Sequence, residues 1–458
     1  MAIKQVAAKK AMENASGGKL IEASLSEITG GWLALAVTDN GKKLVCAATK
    51  DCPAALLFKP ESVIHDSGNM ISVMELNSNN AAVLRRYLKW TSPSACGSKG
   101  LSVGFSDWLG DAGIFLAPIF SKRKIKPILV EYTPGDCVLV KRNFLEAIDA
   151  ATWAVFATGY KEGYGASATG LKTEEDLVKV LLYGYSMLGF DFSDKINLEI
   201  DAMTDAAVEQ KYMEFPQEFR DAVEGSYLAA PVKVGNEIIR YTPEVVRRAV
   251  LEYGEVIMHA QSIYNSYLKN TPWDIDFEVY LSKNGKPLTP QEHYLVGYEL
   301  TRNKVKLTAI GLNAASEEQA LTTDLALHAA IAEACNYRLS FAKADLFAGD
   351  LGNVCKVLKG KAYLKMETLL WLSALQCVAA QAPELMAEIA SCTGLAKAEA
   401  EDLLPTTATG KAYAEAYGKV LSPDQGNFAP AIRAVLSDHE DVYGEKITIM
   451  VEKYLKSL

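Results

Sequence analysis

The sequence predicts an α/β fold: a TIM-like (β/α) barrel with a small N-terminal β-rich subdomain and a helical C-terminal region. Strand-like runs repeatedly end in charged residues, at Asp107, Glu131, Asp191–Lys195, Glu278–Lys283, Lys343–Asp345 and Lys365–Glu367. Helical segments follow most of them, and a barrel displays its catalytic residues on such loops, at the carboxyl ends of its strands. Size agrees as well. A barrel takes about 250 residues, and a chain of 458 residues at 49% hydrophobic leaves room for additions around one large core. The organisation expected is a helix and β-rich subdomain over 1–98, the barrel over 99–390, and a helical extension over 391–458 that packs on it.

Taken in order, residues 1–15 suggest a short exposed helix. Trp32–Val37 and Lys43–Ala48 read as a β-hairpin around Asp39-Asn40-Gly41, a turn that needs the positive φ angles Asn and Gly supply. The apolar runs Ala54–Phe58 and Met70–Met74 extend this β-rich opening. From about Leu101 strand and helix alternate. Thr173 is a helix N-cap with Asp176 three residues on, Gly184 closes that helix, and Tyr185–Phe190 is a buried strand. Thr242-Pro243 opens a helix whose apolar face runs from Val246 to Tyr267. The strand Ile275–Leu281 follows, then a capping box at Thr289 and Glu292 with a helix to Asn303, and the strand Val305–Gly311. A helix from Thr323 to Cys335, the strand Tyr337–Phe341 and a strand at Lys361–Lys365 complete the alternation, after which the chain looks helical. Strands recurring through long crossovers imply a parallel sheet, and their number suits a closed barrel.

A net charge of −9, with a pI near 5.3 and no basic stripe, argues against nucleic acid and against an anionic membrane surface as partners. No apolar run approaches the length needed to span a bilayer, and the N-terminus has no apolar signal region. The eight cysteines are scattered without a CxxC pair, which fits a reducing cytoplasm. A cytoplasmic chain is therefore expected. Homo-oligomer formation is left open.

The histidines offer little. His259 and His328 sit at mid-helix positions, His293 falls in the first turn after Thr289, and His65 and His439 have loop-like contexts. Each reads as a packing or surface residue, and no HExxH spacing supports zinc. The carboxylates offer more. Asp276 and Glu278 alternate along one strand and point to one face, with Phe277 and Val279 on the other. An inward carboxylate is costly unless paired or functional. The plain alternative is a structural ion pair with Lys343 or Lys365. Lys283 and Lys286, flanking Asn284-Gly285, read as solvated. Gly163, Gly165 and Gly170 do not follow an expected strand into a helix, so they give no nucleotide fingerprint.

The segments Ala151–Gly165, Leu171–Asp176, Phe277–Val279, Thr289–Tyr294, Leu327–Ala332 and Tyr337–Ser340 together resemble the tagaturonate/fructuronate epimerases, in order and approximate spacing from about residue 100 to 390. The resemblance implies a metal-dependent isomerase that epimerises a keto sugar acid by deprotonation beside the ketone, with a cation steadying the enediolate. It matches Asp194 to the family's base-like aspartate, Glu278 to its acid glutamate and Lys365 to its late-strand lysine; the reading here takes Asp194 as base and Glu278 as its acid partner, with Asp107, Lys195, Lys343, Asp345 and Lys365 binding the substrate. Two family histidines, the expected metal ligands, read here as Lys195 and Ala342, and Lys343-Ala344-Asp345 departs from the family pattern. An ammonium group has no lone pair for a metal and repels it. Three accounts follow: lysines supply the positive charge in place of the metal; the protein is an inactive family member that binds sugar acids; or it is a barrel lyase or aldolase with a Schiff-base lysine.

Overall fold

The structure, a computed structural model, describes residues 3–66, 68–283, 286, 288–313, 324–347 and 349–458. The expected turn at Asn284-Gly285 and the helix start at Thr323 lie outside the described residues. The chain opens with the helix Gln5–Ser16 on an antiparallel sheet of β1 (Lys19–Ile28), β2 (Gly31–Thr38), β3 (Gly41–Thr49), β4 (Ser62–Asp66) and β5 (Asn69–Met74), in the order β1-β2-β3-β5-β4. This helix is not simply exposed: Ala8 and Met12 are buried in one cluster with Val45, Ala47, Ile71 and Val73 of the sheet. The hairpin turn lies where it was expected, with Gly41 at φ +95°, while Asn40 does not take a positive φ. Ala54–Phe58 forms a turn rather than a strand, and its Ala54, Ala55 and Phe58 pack with Leu33, Leu35 and Phe156. His65 lies in β4, not in a loop.

The barrel is built from β6 (Ser102–Phe105), β7 (Lys126–Tyr132), β8 (Gly165–Leu171) and β9 (Met187–Asp191). A small hairpin, β10 (Val232–Val234) and β11 (Glu237–Ile239), forms a sheet of its own. Then come β12 (Asp276–Tyr280), β13 (Ala309–Asn313), β14 (Arg338–Ala342) and β15 (Ala362–Met366). The eight barrel strands are all parallel and close in chain order, β15 pairing with β6. Val305–Gly311, expected as a strand, enters the sheet only at Ala309. β8 was not expected as a strand at all.

Period-two alternation sorts the β12 side chains as anticipated: Phe277 and Val279 join the main apolar core, while Asp276 and Glu278 point into the barrel. At the floor of the barrel, Asp276 accepts from the backbone N–H groups of Cys96 (2.6 Å) and Gly97 (3.0 Å) and from Thr308 Oγ1 (3.3 Å). Arg338 Nη1 donates to Ser102 Oγ at 2.8 Å and the guanidinium lies over the Tyr363 ring. The floor is therefore closed by the chain leading into β6.

After β15 the helix Leu369–Gln381 is buried along nearly its whole length. The helices Pro383–Thr393, Ala408–Glu415, Tyr417–Leu421, Ala429–Asp438 and Glu440–Ser457 follow, and the last packs on Leu369–Gln381 and Gly113–Ile119. No described helix is long and apolar enough to cross a membrane.

Candidate active site

Midway up the barrel the interior turns polar. Lys365 on β15 donates to Glu278 Oε2 on β12 at 2.9 Å and to Thr169 Oγ1 on β8 at 2.8 Å, and lies 3.7 Å from Glu131 Oε1 on β7. Ser167 Oγ donates to Glu131 Oε1 at 3.4 Å. Glu278, Glu131 and Lys365 are all buried, with exposures of 0%, 2% and 2%. Room for Glu278 comes from missing side chains. A Cβ at Gly311 would sit 2.7 Å from its Oε1, and one at Gly189 would sit 2.9 Å from its Oε2. Glu131 Oε2 and Glu278 Oε1 are buried with no hydrogen bond from the protein.

This arrangement sets the protonation of the group nearest the mouth. Burial pushes the Glu131 carboxyl up to about 8; the Lys365 ammonium opposes that, and the charges of Glu278 and Glu367 add to it. Burial also works against the charge of Lys365, but Glu278 and Glu131 outweigh it and hold the ammonium above its ordinary value. The trio is thus a Lys365–Glu278 ion pair beside a Glu131 carboxyl that holds its proton more tightly than an ordinary carboxyl.

Above Glu131 opens a cavity of about 300 Å³, at the small end of ligand pockets. Ser106, Thr133 and Thr169 line it from the strand ends, with Lys343 and Glu367 on the β14 and β15 side. The wall is aromatic. Trp108, on the loop after β6, stacks on Tyr417 of the C-terminal helices at 3.8 Å between ring centroids, and Tyr417 donates to Asp136 Oδ1 at 3.0 Å. Glu415 lines the same cavity, so the C-terminal helices cover part of the barrel mouth.

The residues singled out from sequence distribute unevenly. Glu278 and Lys365 meet in the interior pair, the structural pairing foreseen as the plain alternative, and Lys343 lines the cavity. Asp107 caps the turn after β6, accepting from Gly110 N (2.8 Å) and Ala112 N (3.0 Å). Asp345 does the same before Leu369–Gln381, accepting from Thr368 N (2.6 Å), Thr368 Oγ1 (2.7 Å) and Leu369 N (3.0 Å). Asp194 and Lys195 lie in the turn after β9. Lys195 Nζ is 3.9 Å from Asp194 and 3.7 Å from Glu255 on the outer helix Pro243–Ile263, and Asp194 is half exposed. Neither touches Glu278 or Lys365. Sequence reasoning named Glu131 and Glu367 only as strand ends and missed Thr169, Trp108 and Tyr417. The signal for Glu131 was a lone carboxylate inside Pro127-Ile-Leu-Val-Glu131-Tyr132, an otherwise apolar strand.

Lys283 corrects another expectation. It is buried, not solvated, and its ammonium meets Glu292 (2.8 Å), Glu252 (2.9 Å) and Asp201 (3.1 Å), while Lys286 stays exposed and pairs with Asp201. His293 and His328 share a contact of 2.9 Å between their Nδ1 atoms, and Tyr337 OH lies 2.7 Å from His293 Nε2. This trio is buried among the helices Pro290–Arg302 and Leu325–Ala334 and the start of β14, so the two histidines are packing residues as read.

A divalent ion, which the resemblance implies, needs several lone-pair donors converging on one point. Among the described residues no three His, Cys, Asp or Glu side chains gather in that way. Between Glu278 and Glu131 stands the Lys365 ammonium, and the β14 end offers Ala342 and Lys343. The described donors do not fit a divalent cation.

Comparison with known proteins supplies the lineage. A family model described as tagaturonate epimerase matches residues 21–414. A tagaturonate/fructuronate epimerase of Thermotoga maritima is 28% identical over 384 residues, covering 78% of this chain and 74% of that protein. The native crystal structure of fructuronate-tagaturonate epimerase from Cohnella laeviribosi has a TM-score of 0.86 at 26% identity over 99% of both chains. A glycerol complex of that epimerase gives 0.85 at 27% identity over 97% of both. With the barrel, its N-terminal sheet and its C-terminal helices all in common, this chain belongs to the tagaturonate epimerase family.

Proposed function

We propose that this chain epimerises a keto sugar acid, with Glu131 as the acid–base group of the reaction. The observation that carries the reading is the buried Glu131, which lines a polar cavity above the Lys365–Glu278 pair and whose carboxyl burial pushes up to about 8. A general acid or base works best when its pKa lies near the working pH. Protonated, Glu131 gives its proton to the substrate; ionised, it takes one. Glu278 and Lys365 are positioning residues: they fix the charge under Glu131 and lie below the cavity lining.

Thr169 Oγ1 accepts from Lys365, which leaves its own proton to point at an enediolate oxygen, and Ser106 supplies a second hydroxyl. The Lys343 ammonium pairs with the substrate carboxylate. Trp108 and Tyr417 give the sugar's carbon face an apolar wall. The lining combines hydroxyls and aromatic surface with the carboxyls of Glu131, Asp136, Glu367 and Glu415, and Lys343 is the cation through which an anionic sugar acid would bind. The scattered, mostly buried thiols fit a reducing cytoplasm as its place of work.

The test is incubation with a panel of keto-uronates in D₂O, followed by proton NMR. Inversion with deuterium entering at the inverted carbon is expected. Inversion without label would replace the proton step by carbon–carbon cleavage and re-closure, which reaches the same kind of enediolate. Neither inversion nor exchange on any substrate would overturn the epimerase reading.

A further inference from the structure

The N-terminal sheet, the barrel and the C-terminal helices do not close completely on one another. Between them lies a second cavity, of about 490 Å³ against about 300 Å³ at the barrel mouth. That volume is ample for a small molecule. We propose that this is a second, non-catalytic binding site, and that its ligand is a neutral polyhydroxylated ring, a sugar without a carboxylate. The inference does not depend on the epimerase reading.

The apolar part of the lining is aromatic. Trp153 of the helix Phe144–Thr158 and Phe115 of Gly113–Ile119 are partly buried rings that line the cavity, with Leu35 of β2 beside them. Such rings give the C–H face of a sugar a surface to lie on.

Charged groups stand around this surface in pairs. Asp111, on the loop after β6, lies 3.6 Å from Arg433 Nε, and Lys42 of β3 lies 3.7 Å from Glu440. Both pairs are close enough to attract and too long for a hydrogen bond. Arg433 gives its Nε and Nη2 protons to the Leu109 carbonyl instead, at 3.1 and 2.8 Å. Among the described residues the side chains of Lys42, Asp111, Ser437 and Glu440 make no hydrogen bond, although all four line the cavity.

Tyr443 points the same way. Its ring is 2% exposed and packs edge-on against Phe115 at 5.6 Å between centroids, and it too lines the cavity. Its hydroxyl makes no hydrogen bond among the described residues. A phenol so enclosed ordinarily has a partner, and the cavity is where a ligand would supply one.

The pairing of charges selects the ligand class. Asp111 and Glu440 balance Lys42 and Arg433, so the cavity favours neither an anion nor a cation. A zwitterion would have to split both pairs. A hydroxyl bridges such a pair without separating it, because it donates to the carboxylate and accepts from the cation at once. A ring that carries several hydroxyls around apolar C–H faces meets the charged rim and the aromatic wall together.

The experiment titrates the full-length protein with methyl β-D-glucopyranoside, methyl β-D-galactopyranoside and methyl α-D-mannopyranoside, none of which has a ketone or a carboxylate. Binding is read by saturation-transfer NMR and by melting temperature, which a ligand of the folded chain raises as its concentration rises. Saturable binding of at least one glycoside is expected. Ser437→Trp, at an exposed helix position, fills the cavity and should abolish that binding, whereas Ser437→Ala should bind like the wild type. Asp111→Ala removes one charged acceptor on a loop and should weaken binding by about tenfold, which keeps the test decisive if the tryptophan disturbs folding. No saturable binding of any of the three overturns the proposal. Binding that survives both Ser437→Trp and Asp111→Ala unchanged places the sugar elsewhere, at the barrel mouth if a keto-uronate displaces it, and overturns the proposal as well.

Discussion

Lys365 and Glu278 form an ion pair of 2.9 Å across the barrel interior, on strands that do not neighbour one another. Two charges this deeply buried are tolerable only together, because each alone would carry its desolvation cost unopposed. Lys365→Met should therefore destabilise the fold by about 3–5 kcal/mol, and Lys365→Met with Glu278→Gln should recover much of that loss. Urea unfolding of the two variants checks it. Equal destabilisation by the single and double variants would mean that the pair contributes nothing as a pair.

Glu131 gives stability a slope on the alkaline side. Its folded pKa of about 8 lies above the ordinary carboxyl value of 4.5, so between these the folded chain binds more protons than the unfolded one. Stability that this group confers is complete below pH 4.5 and declines as the pH rises toward 8, at no more than about 1.4 kcal/mol per pH unit. Glu131→Gln, which cannot ionise, should flatten the decline in melting temperature over that window. An unchanged slope would place the proton elsewhere, with Glu252 and Glu367, both pushed up to about 7, and Asp111, pushed up to about 6, among the other contributors.

The His293–His328 pair acts with the opposite sign. Burial lowers His328 to about 4 and takes His293 well below its ordinary 6.5, the neighbouring His328 adding to the effect on His293. The unfolded chain takes up protons first, so stability falls as the pH drops from 6.5 toward 4. His328→Leu removes one proton acceptor and should reduce the acid dependence of the unfolding midpoint, although the Tyr337–His293 contact remains. A variant as acid-sensitive as the wild type would exclude this pair as the cause.

The barrel was legible from sequence because its strands announce themselves twice, by apolar runs and by the charges that end them. β8 was not. Its Gly165-Ala-Ser-Ala-Thr-Gly-Leu171 has one β-branched residue and two glycines, a poor strand by propensity that exists because β7 and β9 flank it. The site was only half legible. Glu278 and Lys365 stood out as charges on apolar strands. Asp107 and Asp345 stood out for the same reason, but their partners are backbone N–H groups, which a sequence does not display. Lys283 beside Asn284-Gly285 looked like a solvated turn residue, since its three carboxylates come from three separate segments. Tyr417 lies on a C-terminal helix that gives no hint of reaching over the barrel mouth.

The grip of Asp276 on the N–H groups of Cys96 and Gly97 joins positions 180 residues apart. Such a contact forms only after most of the intervening chain has been brought into place, and long loops closed before they are rewarded make folding slow. The N-terminal sheet, paired almost wholly between successive strands, can assemble while the barrel is still open. The segment that leads from that sheet into the barrel is therefore expected to become ordered late, when β12 arrives to fasten it. Asp276→Asn would be expected to slow the final phase of refolding far more than it disturbs the N-terminal sheet.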